Sequence, residues 1–340
     1  MLCRITGRGK DINLLFTSAG RRVELLRAFR RAYQSLGLGG NIIAVDIDPL
    51  APALQVADRA YIVPRLDSPD FIPTLAEIIR REQVDLIFPL IDPDIPLLAA
   101  YRPVLEAIGA RLAVVSQEAA AVAADKWLTA HFFQNLGLAT PRSWQAGKLD
   151  PAAAEFPLFI KPRRGSAAQH TFKVKDAREL TFFSDYVCNP IIQEYLPGPE
   201  ITNDVICDLK GEVLAVVSRR RIEVRWGEVA KGVTIYNAGI TAACVKIAQA
   251  LPAVGPITVQ CLMQNGLPHF TEINARLGGG VPLGIVAGAD GPRLLLAREA
   301  GLPVDIPPLG SYQLGLYLTR FDESFFLTEP DYEHINVRSV

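Results

Sequence analysis

The stretch TEINARLGGG, residues 271–280, sets a carboxylate (Glu272), an amide (Asn274) and a guanidinium (Arg276) at alternate positions and follows them with three glycines. On a strand, alternate side chains share a face, so Glu272 and Asn274 point the same way and Arg276 extends the row if the strand continues. Such a row is either a solvated strand face or a site. The preceding segment ITVQCLM is joined to PHFTEINA by a short loop holding Asn265 and Gly266, a hairpin cue. Antiparallel pairing through that loop sets Gln260 opposite residues 271–272, within about one residue of register. Gln260, Glu272 and Asn274 then offer clustered oxygen ligands. Hard cations such as Mg2+ take oxygen, and Mg2+ uses only one or two protein groups while phosphates and water fill the remaining positions. The patch suits a metal bound together with a nucleotide.

A second chemical signal lies upstream in FIKPRRGSAA, where Lys161 ends an apolar run and Gly165, Ser166, Ala167 and Ala168 follow. Small residues let backbone N–H groups approach phosphate oxygens, and a lysine leaving a strand supplies a point charge beside them. A Pro and Gly turn with a snorkelling lysine is the alternative. The stretch is not a Walker A loop, because G-x-x-x-x-G-K-[ST] does not occur there. Cys3, Cys188, Cys207, Cys244 and Cys261 stand far apart and form no spaced metal cluster, so they read as buried thiols of a reducing compartment.

Elements must carry these residues. In the first hundred positions, short β-rich runs (NLLFT, IIAVD, LIFPL and, at 112–115, LAVV) alternate with helical patterns, one near 70–82. Continuous apolar strands between helices indicate a doubly wound α/β domain with a parallel sheet. Its first strand-to-helix turn, TSAGRR, lacks G-x-G-x-x-G, which argues against a nicotinamide oxidoreductase. Ser18, Gly20 and Arg21 of this turn sit where α/β sheets place ligands and could bind a second substrate or an anion. Asp46 and Asp48, at the end of AVDIDP, face the same edge or cap turns. After Pro141 the pattern becomes strand, loop, strand, a helix near 176–187, and strand IIQEYL. Two strands joined at Lys210-Gly211 follow, then a helix near 240–251 with Ile240, Cys244, Ile247 and Leu251 on one face. The tail is expected to add strands and to cover an edge or a partner. The expected fold class is α/β and α+β, divided as 1–115, 116–190 and 191–340.

Composition agrees with a folded protein of two or three domains. The chain has 340 residues, 49% apolar and 21% charged, with 35 Lys plus Arg against 36 Asp plus Glu. No basic field attracts nucleic acid, and no apolar run approaches the roughly 18 residues of a membrane span. The apolar stretch INLLF is too short for a signal-peptide core, so a cytoplasmic protein is expected.

Six segments together resemble the ATP-grasp superfamily, specifically the branch similar to the ATP-binding halves of carbamoyl phosphate synthetase large subunits. They are the α/β pre-domain, DKWLTAHFF, FIKPRRGSAA, QEYLPGPE, the Gln260 strand and EINARLGGG, in that order. The resemblance implies that Lys126 and Lys161 hold the α and β phosphates of ATP, with Ser166 in a loop over them. It implies a hinge at Gln193, Glu194, Tyr195 and Leu196 for adenine, and Glu200 on the ribose hydroxyls. Gln260, Glu272 and Asn274 correspond to the ligands of one or two Mg2+ ions, with Mn2+ able to substitute, and Arg276 to the arginine facing the transferring phosphoryl group. Ala168, Gln169 and His170 depart from the glycine and arginine often found in that loop. A single ATP-grasp unit disfavours carbamoyl phosphate synthesis, for which that family uses two.

The implied chemistry activates a carboxylate as an acyl phosphate, which an amine or another nucleophile attacks. For the carboxylate clamp, SRRRIEV places Arg219 and Arg221 on one strand face and Arg220 on the other; Arg220 or Arg221 is the expected clamp, and a solvated basic edge explains at least one of the three. His269 and His170 lie near the expected site, and the mechanism requires no histidine base. Expected partners are a small carboxylate and an amine, with no nucleic acid and no membrane. A homodimer through an exposed domain face is compatible with the sequence. The competing reading is a nucleotide-binding regulatory or partner protein without turnover; the complete Gln260, Glu272, Asn274, Arg276 set argues against it.

Overall fold

In the computed structural model, which describes residues 11–165, 169–225 and 227–337, the chain forms three sheets. The N-terminal unit runs β1 (Leu14–Thr17), α1 (Val23–Leu36), β2 (Ile42–Asp46), β3 (Arg59–Ile62), α2 (Phe71–Glu82), β4 (Leu86–Pro89), α3 (Asp94–Glu106) and β5 (Arg111–Leu112). Its five strands are parallel, in the order β3-β2-β1-β4-β5. β1, β2 and β4 are buried on both faces, which is why they read as unbroken apolar runs. Phe16, Phe29 and Phe88 pack at 5.0–5.5 Å between ring centres and fix α1 on the sheet. The LAVV run is shorter than expected: only Arg111 and Leu112 are strand, although Ala113 N still donates to the Ile87 carbonyl.

Two helices, α4 (Gln117–Ala124) and α5 (Lys126–Asn135), lead to the second sheet. That sheet holds β6 (Ser143–Gln145), β7 (Leu158–Pro162), β8 (Phe172–Val174) and β9 (Pro190–Glu194), ordered β6-β9-β7-β8, with α6 (Ala177–Tyr186) against it. Its core is small, built on Leu158, Ile160, Val174, Leu180 and Ile192. Because β9 hydrogen-bonds to β6 and β7, this unit extends through Glu194 and beyond the expected division at 190. α4 and α5 instead pack on the third sheet.

The third sheet has six antiparallel strands. It is built from β10 (Glu200–Cys207), β11 (Val213–Arg225), β12 (Glu228–Ile235), β13 (Ile257–Gln264), β14 (Leu267–Asn274) and β15 (Tyr317–Thr319), ordered β14-β13-β10-β11-β12-β15. Helices α7 (Ala238–Ala250), α8 (Val281–Val286), α9 (Gly291–Ala300) and α10 (Glu329–Val337) complete the chain. The face of α7 carrying Ile240, Cys244, Ile247 and Leu251 is buried as its spacing predicts. α9 packs on α1, and its Leu294, Leu295 and Leu296 share one apolar core with Leu26 and Phe29, joining this sheet to the N-terminal unit. β15 covers the β12 edge, as expected of the tail. No helix among the described residues is long and apolar enough to cross a membrane.

Candidate functional site

The six-stranded sheet forms the floor of a cavity of about 950 Å³, closed by the four-stranded sheet and by loops of the N-terminal unit. Cross-strand register lays a row over this floor: Glu272 pairs with Gln260, Gln260 with Thr202, and Thr202 with Arg219. Directly paired residues of an antiparallel sheet share a face, so the row is fixed by backbone hydrogen bonding. Lys126, Lys161, Gln193, Glu194, Tyr195, Leu196, Glu200, Arg221, Gln260, Glu272, Asn274 and Arg276 all line this cavity. Ser166 lies outside the described residues.

At one end Lys126 begins α5. Asp125 caps that helix by accepting from the Trp127 and Leu128 N–H groups and is itself gripped by Arg163, at 3.1 and 2.6 Å. The cap holds the Lys126 ammonium 3.4 Å from Glu272 Oε1 and 2.7 Å from the Gly165 carbonyl. Lys161 on β7 is 9% exposed. Burial pushes its ammonium down to about 8, and neighbouring Lys126 adds to this while Glu272 and Glu200 oppose it. A buried cation beside a half-buried one favours an anionic ligand such as a phosphate.

The strand bringing Gln193 and Glu194 also meets the segment before β6. Gln193 donates to Ser143 Oγ at 2.8 Å, and Glu194 accepts from Arg142 N and Nε, both at 2.9 Å. Both side chains are thus engaged by the protein, and Tyr195, whose N–H donates to the Pro157 carbonyl at 3.4 Å, and Leu196 follow them along the cavity wall. Lys173 stands 3.9 Å over the Tyr195 ring. Glu200 accepts from Gln260 Nε2 at 2.5 Å and from Arg221 at 2.7 Å. Arg221 therefore sits beside the residue expected to meet ribose, away from the Arg276 end.

The metal expectation can be tested on the donor set. Glu272 supplies a carboxylate, and the Gln260 amide nitrogen is occupied by Glu200, which leaves its oxygen for the cavity. The Asn274 amide settles with its nitrogen toward Asp92, donating at 3.1 and 3.3 Å to the two carboxylate oxygens. Its oxygen then takes the position 3.5 Å from Gln260 Oε1, so two carbonyl oxygens face each other beside a carboxylate. A hard cation fits such a set. No group of three or more His, Cys, Asp or Glu able to hold a metal occurs among the described residues, so phosphate or water would complete the shell.

Arg276 lies two residues beyond the end of β14, where a turn from Arg276 N to the Asn274 carbonyl carries it on. Its NH2 donates to Asp92 Oδ2 at 2.7 Å and its NH1 to the Leu277 carbonyl at 3.3 Å. Arg22, from the TSAGRR turn, pairs with Glu228 at 2.5 Å in the same region. Burial lowers the Arg22 pKa, Glu228 resists, and Arg276 and Arg320 add to the lowering. The Glu228 carboxyl is raised by burial, but Arg22, Arg320 and Arg276 together hold it below the usual range.

Several expectations are corrected. Arg220 is exposed and lies on the opposite face from Arg219 and Arg221, so it cannot serve as the clamp; of the two arginines expected for that task only Arg221 lines the cavity. Arg219 is 3% exposed and paired with Asp204 at 2.7 and 3.1 Å, which makes it part of the floor. The three glycines make room for the protein's own side chains. A Cβ at Gly278 would stand 2.9 Å from Asp204 Oδ1 and Thr258 Oγ1, one at Gly279 would meet Arg22 and Glu228, and one at Gly280 would run into the Arg219 guanidinium. In the TSAGRR turn, Ser18 donates to Asp94 (2.9 Å), Gly20 N to Asp46 (2.7 Å), and exposed Arg21 pairs with Asp322 (3.5 Å). Asp46 and Asp48 act as turn caps, accepting from Asp48 N and Leu50 N. His170 lines the cavity, while His269 is half-buried outside it. Sequence reading missed Arg22 and Asp92. Asp92 follows β4 at the carboxyl end of its strand, a position that is itself a signal in doubly wound sheets.

Residues 14–113 match the family described as PylC-like, N-terminal domain, and residues 123–280 match that described as ATP-grasp domain. A formate-dependent phosphoribosylglycinamide formyltransferase of Thioalkalivibrio sulfidiphilus is 31% identical over 156 residues, 44% of this chain and 37% of that protein. A 3-methyl-D-ornithine–L-lysine ligase of Methanosarcina barkeri is 23% identical over 199 residues, 58% of this chain and 49% of that protein. The matched stretches thus span less than half the length of these two relatives. Among solved structures, biotin carboxylase of Campylobacter jejuni in complex with β,γ-ATP shares the fold, with a TM-score of 0.71 over 91% of this chain and 74% of that one at 18% identity.

Proposed function

The chain is an ATP-grasp protein, its ATP-grasp domain following a PylC-like N-terminal domain, and from that premise we propose that it is an ADP-forming ligase joining a carboxylate to an amine. The observation that carries this reading is the convergence in one cavity of Lys126 and Lys161 with Gln260, Glu272, Asn274 and Arg276. In the proposed reaction a carboxylate oxygen bonds to the γ-phosphorus of ATP as the bond to the β–γ bridging oxygen breaks and ADP leaves. The amine nitrogen then bonds to the acyl carbon, phosphate leaves, and the amine proton passes to solvent.

Each residue has a physical task in this scheme. Lys126 and Lys161 hold phosphate charge on a rigid helix terminus and strand. Main chain at Tyr195 and Leu196 receives adenine, and Glu200 the ribose. Gln260, Glu272 and Asn274 would hold Mg2+, which supplies charge neutralisation between two anionic reactants. Arg276 stabilises charge on the transferring phosphoryl group. The relative from Methanosarcina barkeri is named for two amino acids as its joined partners, which supports small amino or carboxylic substrates.

An ADP-release screen crossing pools of carboxylic acids with pools of amines tests the reading. ADP formation that requires both an acid and an amine is expected. If the protein binds ATP and Mg2+ but forms no ADP with any pair, it is a nucleotide-binding protein without turnover.

A further inference from the structure

Asp92 comes from the loop between β4 and α3 of the N-terminal unit, 184 residues away in sequence from Arg276, yet it reaches the centre of the ATP-grasp site. It contacts two groups there. Arg276 NH2 lies 2.7 Å from Oδ2, and the Asn274 amide nitrogen lies 3.1 and 3.3 Å from Oδ1 and Oδ2. We propose that Asp92 is a positioning residue: it turns the Asn274 amide so that its oxygen, not its nitrogen, faces the Gln260–Glu272 cation site, and it anchors Arg276 beside that site. The inference rests on the nucleotide and metal reading above.

A side-chain amide can take either of two orientations related by a half-turn. Asn274 presents oxygen or nitrogen to the site according to which side holds its hydrogen-bond acceptor. On the far side the Gln260 oxygen is also an acceptor, 3.5 Å away, and would attract the Asn274 nitrogen if nothing competed. The ionised Asp92 carboxylate competes with two oxygens and a full charge, and charge-assisted hydrogen bonds are about twice as strong as neutral ones. Removing it turns an N–H group toward the place a cation occupies, which repels the ion. Arg276 depends on the same carboxylate. Its Nε is buried without a partner and NH1 makes only a 3.3 Å contact, so Asp92 supplies its shortest anchor. Partners of this kind, one step removed from a metal ligand, typically change metal affinity by about 10–100-fold when lost.

The test reads metal binding without turnover. Mn2+ is titrated by electron paramagnetic resonance into the full-length protein with ADP bound, for wild type, Asp92→Ala, Asn274→Asp and the double variant. Asp92→Ala is expected to weaken Mn2+ binding about 10-fold while metal-free ADP affinity stays within about 2-fold. An aspartate at 274 presents oxygen whichever way it turns, so in the Asn274→Asp background the loss of Asp92 is expected to cost less than about 2-fold. An equal loss in both backgrounds, or none in either, overturns the proposal. Asp92→Asn keeps one acceptor oxygen and serves if the alanine variant does not fold, with an intermediate loss expected and no loss overturning the idea. Failure of the wild-type ADP complex to bind Mn2+ at all sinks the nucleotide and metal reading itself, and the Asp92 assignment with it.

Discussion

The β13–β14 hairpin and the two N-terminal loops deliver charged side chains to the same cavity by different physical means. In the hairpin, position follows from local rules. Asn265 and Gly266 turn the chain with positive φ, 51° and 79°, and the ladder then pairs Gln260 with Glu272. The N-terminal loops obey no such local rule: Arg22 and Asp92 reach the site only because α1 packs on α9 and the first sheet docks against the third. Chemistry placed by register tolerates changes at the domain interface, and chemistry placed by docking does not.

The largest effect should come from the hairpin. Glu272→Ala removes the one carboxylate of the donor set and leaves Gln260 and Asn274 as neutral ligands. Turnover that depends on Mg2+ is expected to fall by at least about 10³-fold, since loss of one preorganised electrostatic group typically costs 10²–10³-fold and the metal is lost with it. Far-ultraviolet circular dichroism should stay unchanged, because Glu272 is partly exposed and anchors no core. Near wild-type rates would remove the metal assignment.

Next come changes to the floor joining the two regions. Arg219→Met leaves Asp204 buried and unpaired, and breaking a buried pair from one side typically costs about 3–5 kcal/mol. Urea unfolding should show that loss, and Arg219→Met with Asp204→Leu should recover most of it, because an apolar pair of similar volume often matches a buried ion pair. Gly280→Ala drives a methyl into the same guanidinium and is expected to cost about 1–3 kcal/mol. An Arg219 variant as stable as wild type would mean that the pair contributes nothing to the floor.

Lys161 gives a smaller effect whose sign can be worked out. Its pKa falls from 10.5 in the unfolded chain to about 8 in the fold because burial disfavours the ammonium. Between those values the unfolded chain binds more protons, so this group's contribution to stability is full above about 10.5 and is lost as pH falls through about 8. Phosphates beside Lys161 favour the charged form, so ADP binding near pH 8.5 should take up a fraction of a proton. Calorimetry in two buffers of different ionisation enthalpy measures that uptake, and Lys161→Met should abolish it. Equal uptake in that variant would place the titrating group elsewhere.

The same contrast explains what the sequence could disclose. Alternation along TEIN and the Asn-Gly turn placed Gln260 within one residue of its observed partner, because strand period and turn chemistry are local. The parallel sheet was legible from unbroken apolar runs, and α7 from four residues on one face. Arg22 and Asp92 were not, since each sits on a loop whose partners, Glu228 and Arg276, lie far away in sequence. The glycines of 278–280 looked equally suited to a substrate or a turn, and only the packing of Arg22, Asp204 and Arg219 against them decides. The exact division at 190 also missed, because β9 takes its sheet from long-range pairing that no local pattern reports.

The smallest effect completes the comparison within a single strand. Arg220 and Arg221 are neighbours of identical chemistry, separated only by the alternation of β11. Arg221 faces the cavity and donates to Glu200 at 2.7 Å and to the Gly227 carbonyl at 3.0 Å; Arg220 is exposed on the other face. Arg220→Ala should change stability by no more than about 0.5 kcal/mol, as exposed substitutions away from a specific feature usually do, and should leave ADP affinity unaltered. Arg221→Ala frees Glu200 from its cation and should weaken ADP binding about 3- to 10-fold, the equivalent of about 0.7–1.4 kcal/mol. Titration of ADP into both variants decides the matter: equal losses would mean that the strand's alternation, on which the placement of Glu200 and Gln260 also depends, does not set which side chains meet the nucleotide.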